Sequence, residues 1–398
     1  ALAREEFSPR ARIQLIKFYK KGLLDSSKGL KELISKCLMC GACAANCPSG
    51  IDHYSQFMEM RTQMSADHGD PAAVKSLVFL LAREYRIRLA AGLGRAGQKL
   101  IGQKLLPKTL ADKYNIGNIP VRRLPEFNKK PFRRAVSDIQ PVQGNKKGKV
   151  VYFTGCATNY LFDRTGFATL KVLREMGYET IIPKKQTCCA IPMLYHGAVS
   201  QAEKNVAANI KALSGNGPGK EIDDVDAVIV DCPTCGAALK NEYPVLAGKF
   251  DLDINLASAI ASKTVDIMTF IQTRSAHGLP AGPDSPVTAA YHRPCHMRNG
   301  LPGMNRTETV LEALDQVNYV KTADTDACCG GGGTFFQEYP DLSGLMVAGK
   351  IENIRAAGAD LWLTECPVCR INLAGNLEDS DPVEVRHPVE LFYRKKMK

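Results

Sequence analysis

No apolar stretch in the 398-residue sequence reaches the roughly 20 residues that a membrane-spanning helix needs, and even the run Leu77–Ala82 is closed off by charge. No secretory signal is visible in the residues Ala1-Leu2-Ala3-Arg4-Glu5-Glu6-Phe7, which have no apolar region behind a basic flank, so export is not expected. The sequence reads as holding no P-loop Gly-Lys-Ser/Thr, no Gly-x-Gly-x-x-Gly dinucleotide fingerprint and no nucleic-acid-binding motif. Flavin or nicotinamide chemistry is therefore expected on another chain, and nucleic acid is not an expected partner. Disorder is excluded too, since 45% of residues are hydrophobic and 23% charged.

What is abundant is cysteine. Fourteen cysteines with no visible export signal are expected to lie in a reducing cytoplasm, where thiols stay free for metal, rather than in a disulfide framework. The length suits two or three domains. Net charge is +11, and the basic residues crowd between Arg83 and Lys149, where acids are few. Such a stripe suits either a solvated linker or docking to a partner, a membrane subunit or an anionic membrane surface, so the expected location is cytoplasmic, peripheral to the inner face of the cell membrane if it docks there.

Three textures divide the chain: a helical segment at residues 1–64, a basic helical connector at 65–148, and a repeat over 149–398 that splits into 149–275 and 276–398. In each half a short apolar strand (Lys149–Thr154; Val287–Tyr291) runs into a cysteine. A second strand follows (Tyr178–Ile182; Asn318–Lys321), then a Cys-Cys pair and an amphipathic helix (Gln201–Leu213; Leu342–Ala356). A third strand (Ala227–Asp231; Asp360–Glu365) ends in Cys-Pro-x-Cys, and Val265–Phe270 is echoed by Val389–Phe392. Strands alternating with helices predict an α/β pseudo-dimer of parallel sheets, with cysteines just past the carboxyl ends of strands, where open α/β sheets place ligands.

Cys37, Cys40, Cys43 and Cys47 form the C-x2-C-x2-C-x3-C-P run of bacterial-type ferredoxins, which points to a [4Fe–4S] cubane. In two-cluster ferredoxins the fourth cysteine serves the other cluster, so Cys47 implies a second cluster and a companion motif expected upstream of Ala1. The repeat adds two five-cysteine sets: Cys156, Cys188, Cys189, Cys232, Cys235, and Cys295, Cys328, Cys329, Cys366, Cys369. Their spacings, C-x31-CC-x42-C-x2-C and C-x32-CC-x36-C-x2-C, nearly coincide. Five converging thiolates suggest an open polynuclear centre; a four-cysteine zinc site with one spare thiol is the alternative, more so in the first half, where Ala190 stands in place of the glycine after the pair. In the second half, Gly330–Gly333 can bring backbone N–H groups close to sulfur.

The duplicated Cys-Cys-Gly motif after a ferredoxin-type segment resembles the cysteine-rich domain family of heterodisulfide reductase catalytic subunits and of the iron–sulfur subunits of glycolate oxidase, D-lactate dehydrogenase and anaerobic glycerol-3-phosphate dehydrogenase. Glu5–Arg12 and Cys47-Pro48-Ser49-Gly50-Ile51 are similar to segments of the glycolate-oxidase type. The resemblance implies a non-cubane [4Fe–4S] cluster on Cys295, Cys328, Cys329, Cys366 and Cys369, and a second such cluster or zinc on Cys156, Cys188, Cys189, Cys232 and Cys235. It further implies an oxidoreductase subunit that relays electrons from a flavin-containing dehydrogenase subunit to a quinone or other acceptor. The alternative is disulfide reduction at the open clusters, and a purely structural scaffold is disfavoured by the ferredoxin motif. His292 and His296 beside Cys295, and Tyr195-His196 after the first Cys-Cys pair, are candidates to donate to a cluster or move protons. His387-Pro388 is expected to open the last helix.

Overall fold

A computed structural model describes residues 4–100, 114–142, 144–215, 222–275 and 278–393. Helices dominate the N-terminal part: α1 (Pro9–Lys20), α2 (Lys28–Ser35), α3 (Ala42–Ala45), α4 (His53–His68), α5 (Ala72–Leu81) and α6 (Glu84–Leu100). Local sequence sets their starts. The side chains of Ser8, Ser27 and Asp52 accept backbone N–H groups at the first turns of α1, α2 and α4. Ile16, Ile34, Phe57, Met60 and Met64 form the buried faces and join one apolar cluster with Ile191, Met193 and Leu194 of the first repeat. The N-terminal helices are thus welded to the repeat.

A two-stranded hairpin, β1 (Asn115–Ile116) with β2 (Ile119–Pro120), precedes two sheets. The first contains β3 (Ile139–Gln140), β4 (Gly148–Phe153), β5 (Tyr178–Ile181), β6 (Ala227–Val230) and β7 (Thr264–Asp266), in the order β3-β5-β4-β6-β7. All its pairings are parallel except that of β3. The second contains β8 (Val287–Tyr291), β9 (Val317–Val320), β10 (Leu361–Leu363) and β11 (Glu384–Arg386), all parallel, in the order β11-β10-β8-β9. Counting from β4 or from β8, both sheets run 2-1-3-4, and the order reverses beside the first strand, where open sheets form a crevice beyond the carboxyl ends. One apolar cluster unites the units: Val150, Tyr152, Ile229 and Phe270 pack with Ala289, Tyr291, Leu363 and Phe392.

The connector departs from the helical expectation. It is helical through α5 and α6, but 114–142 is mostly extended, with only short helical turns, because Pro120, Pro125 and Pro131 interrupt any longer helix. The hairpin lies on the second unit, where the Asn118 side chain donates to Asn376, and β3 joins the first sheet. Much of the basic stripe is also spent internally. Arg133 is buried against Glu84, Arg122 and Arg123 pair with Asp379, and Lys146 pairs with Glu179, while Lys104 and Lys108 lie outside the described residues.

The letters Gly-x-Gly-x-x-Gly do occur, at Gly92-Leu93-Gly94-Arg95-Ala96-Gly97, but inside α6 and with no strand leading into it. A Cβ on Gly94 would stand 2.5 Å from the Phe127 ring, so that glycine makes room for packing and forms no phosphate-binding turn. Among the described residues no helix is long and apolar enough to cross a membrane.

Candidate metal centres

In the first unit, β4 delivers Cys156 to the helix Gly155–Tyr160, the loop after β5 delivers Cys188 and Cys189, and β6 leads two residues on to Cys232, which caps the helix Pro233–Ala237 carrying Cys235. The five thiols form an unbroken chain of contacts: Cys156 with Cys188, Cys188 with Cys189, Cys189 with Cys235, and Cys235 with Cys232. Hydrogen bonds from Cys188 and Cys235 lower the Cys189 thiol to about 6, whereas the Cys188 bond and burial drive Cys156 up. Five such groups cannot all ionise in an apolar interior without a cation among them. Gly155, at φ 60°, lets the backbone pass Cys235; a Cβ there would sit 3.0 Å from its Sγ.

The second unit repeats the plan. Cys295, Cys328, Cys329, Cys366 and Cys369 line one cavity, with Cys329 Sγ 2.9 Å from Cys369 Sγ. The backbone N–H groups of Gly330 and Gly331 point at Cys328 Sγ and Cys329 Sγ, each at 3.4 Å, as the glycine run suggested. Asn372 Nδ2 donates to the Cys329 carbonyl at 2.6 Å and fixes the pair. His292 is buried with neither ring nitrogen partnered, and one of them lies within 4.8 Å of both Cys329 Sγ and Cys369 Sγ. An orphaned imidazole aimed at clustered thiols fits a metal-sulfur group that would accept its N–H. Ala190, the departure noted in the first unit, holds φ 78° beside 77° at Gly330, so the Cys-Cys turn has the same left-handed form in both.

The N-terminal cysteine loop is bent by two left-handed residues, Met39 and Gly41, and gathers Cys37, Cys40 and Cys43 near the Arg12 guanidinium. Burial raises the Cys40 and Cys43 thiols. Cys47 follows α3 among exposed neighbours. Arg61 clamps the loop: its guanidinium donates to the carbonyls of Ile34, Ser35 and Cys37 and, across the interface, to that of Tyr195. Leu38 lies against Gly332, Asn299 Nδ2 donates to the Cys40 carbonyl at 2.8 Å, and the Cys40 and Cys295 thiols are close enough to influence each other's charge. The loop thus abuts the second five-cysteine site.

Among the histidines, His296 meets Tyr195 and Thr234 of the first unit, and His196 donates to or accepts from Thr334 at 2.7 Å. His387 opens a short helical turn, Pro388–Phe392, and its Nε2 contacts the Asp231 carbonyl at 2.8 Å. Two buried acids escaped notice in the sequence. Asp231 is bonded by Tyr152 and Thr158, and Glu365 by Tyr291 and Thr307; burial raises the two carboxyls to about 6 and about 7. The available signal was an acid immediately before each Cys-Pro-x-Cys.

Two parallel units with five thiols each at matching strand ends define a duplicated cysteine-rich architecture. Comparison with known families agrees: the cysteine-rich domain family CCG matches at residues 150–240 and 289–374, and the chain carries this domain twice. It is 27% identical over 366 residues to a CoM/CoB fumarate reductase subunit of Methanothermobacter marburgensis, covering 92% of this chain and 62% of that protein. It is 26% identical over 389 residues to the probable glycolate oxidase iron-sulfur subunit of Bacillus subtilis, covering 94% and 84%. With an anaerobic glycerol-3-phosphate dehydrogenase subunit of Escherichia coli it shares 28% identity over 275 residues, 68% of this chain and 65% of that one. The chain thus spans under two thirds of the length of two of these three relatives.

Proposed function

We propose that this chain is the iron–sulfur electron-transfer subunit of a multi-subunit oxidoreductase, taking electrons from a flavin-containing dehydrogenase subunit of the glycolate, D-lactate or glycerol-3-phosphate type and passing them to a quinone or other acceptor. The observation that carries the reading is the grouping of thirteen thiols into three neighbouring sites: Cys37, Cys40 and Cys43, and the two five-cysteine sets. In this reading Cys37, Cys40 and Cys43 hold one [4Fe–4S] cubane and Cys47 a second. Cys295, Cys328, Cys329, Cys366 and Cys369 hold a non-cubane [4Fe–4S] cluster, and Cys156, Cys188, Cys189, Cys232 and Cys235 another such cluster or zinc. Bound clusters of these kinds supply one-electron transfer. The chain's own residues orient and insulate them: Arg61 fixes the loop, the glycine amides offset thiolate charge, and buried helices exclude water.

The test is a stopped-flow comparison in the complex with the flavin subunit. Cys40→Ser should leave flavin reduction by substrate intact and abolish electron delivery to the distal acceptor. Substrate oxidation by the purified chain alone would overturn the relay. Disulfide reduction is the second reading, favoured by the cavity that brings His292 and His296 to the second five-cysteine site; rapid heterodisulfide reduction by the isolated chain would establish it.

A further inference from the structure

A cleft separates the N-terminal cysteine loop and α4 from the first unit. Met39, Tyr54, Met58, Leu194, Val245 and Leu246 give it apolar walls. Cys40 reaches its rim, but Cys37, Cys43, Cys47 and the ten cysteines of the repeat do not line it, so its chemistry differs from that of the thiol sites.

Two π-turns build the far wall. Ala238–Glu242 follows the first Cys-Pro-x-Cys helix, His296–Gly300 follows Cys295, and they meet where Asn241 Nδ2 donates to the Gly300 carbonyl at 2.7 Å. π-Turns are rare and concentrate at functional sites. They also break the internal symmetry, because the matching segments Pro367–Asn376 and Gly155–Tyr160 are ordinary α-helix. Both breaks face this one cleft.

Its charged groups are Asp52, Glu59 and Glu242 against Lys249. A surplus of acid disfavours anionic ligands such as hydroxy acids. Burial, reinforced by nearby Asp52, pushes the Glu242 carboxyl up to about 7, and burial keeps the phenol of Tyr54, which also lines the cleft, protonated. Glu242 can therefore hold and release a proton near neutrality.

We propose that this cleft binds a neutral, flat, largely apolar electron acceptor with ring carbonyl oxygens, the quinone class, and that Glu242 supplies it a proton. The inference rests on the relay reading. Reduction takes two electrons, which the relay supplies singly, and two protons, one from Glu242 and one from water; the two carbonyls become hydroxyls, and Glu242 is reprotonated from solvent.

The test uses the cluster-loaded protein, a short-chain quinone and its azido photolabel. Label is expected on peptides spanning 39–58 or 237–249. Val245→Trp, at a mouth position that is 68% exposed, should weaken quinone binding about tenfold, or about 1.4 kcal/mol, with cluster absorption unchanged. Glu242→Gln should reduce quinone more slowly than the native protein below about pH 7 and lose the fall in rate that the native protein shows above it. Binding and labelling are read on resting protein, so a labelled cleft without flavin-driven electron entry would refute the relay and keep the site. Label confined elsewhere, unchanged affinity in Val245→Trp, or an unchanged pH profile in Glu242→Gln would overturn the cleft proposal.

Discussion

Tyr195 and His296 stack across the two units, with ring centroids 5.9 Å apart and planes inclined by 23°, and a hydrogen bond joins the Tyr195 hydroxyl to His296 Nε2. The same hydroxyl donates to the Met39 carbonyl at 3.2 Å, and Thr234 Oγ1 lies 3.3 Å from His296 Nδ1. One proton order satisfies all three: Nε2–H to the phenol oxygen, the phenol to Met39, and Thr234 to Nδ1. Tyr195→Phe keeps the stack but leaves buried polar groups unpaired. It should cost about 1–3 kcal/mol in urea unfolding, with iron content unchanged.

Glu84 anchors α6 to the first five-cysteine site. Its Oε1 accepts from Arg133 at 2.5 Å and from the Tyr160 hydroxyl at 2.6 Å, and Arg133 in turn donates to the carbonyls of Gly155 and Gln186. Glu84→Ala strands a buried guanidinium, and the expected loss is about 3–5 kcal/mol. Urea titration measures it, and faster thiol labelling of Cys156 should accompany it.

Acid stability carries a His387 contribution. Burial holds its imidazole down to about 4, while the unfolded chain takes up that proton near 6.5. The unfolded state therefore binds more protons between those values, and the contribution is lost as pH falls from 6.5 towards 4, by about 3 kcal/mol in all. Asp231 and Glu365, raised to about 6 and about 7, act in the opposite direction. The readout is thus the difference between native protein and His387→Asn: the variant's stability should fall less on acidification. Parallel pH curves would refute it.

Cys329 Sγ lies against Cys369 Sγ and accepts the Gly331 N–H. On the relay reading, Cys329→Ser should remove iron from this site together with its paramagnetic signal, while the signal assigned to Cys37, Cys40 and Cys43 persists. Stoichiometric zinc with no iron at this site would contradict the assignment.

The repeat was legible because its inner strands are unbroken apolar runs such as Val150–Phe153 and Ala227–Val230, and because cysteines mark their ends. The outer strands β7 and β11 escaped notice: three residues each, they mix apolar with charged side chains in Thr264–Asp266 and Glu384–Arg386. Ala190 looked like a reason to doubt the first centre, yet its backbone adopts the glycine-like form at a strain of about 1–2 kcal/mol that the surrounding packing holds in place. Asp231 and Glu365 were hidden because a carboxylate in sequence reads as surface. The π-turns have no compositional signature at all, and the cleft they form was invisible for that reason.

Tyr152, Phe270, Tyr291 and Phe392 belong to one apolar cluster drawn from both repeats. Neither repeat can be removed or expressed alone without exposing to water the apolar side chains that the other covers. A substitution at one thiol rim therefore stays local, whereas one in the shared cluster is felt by both units at once.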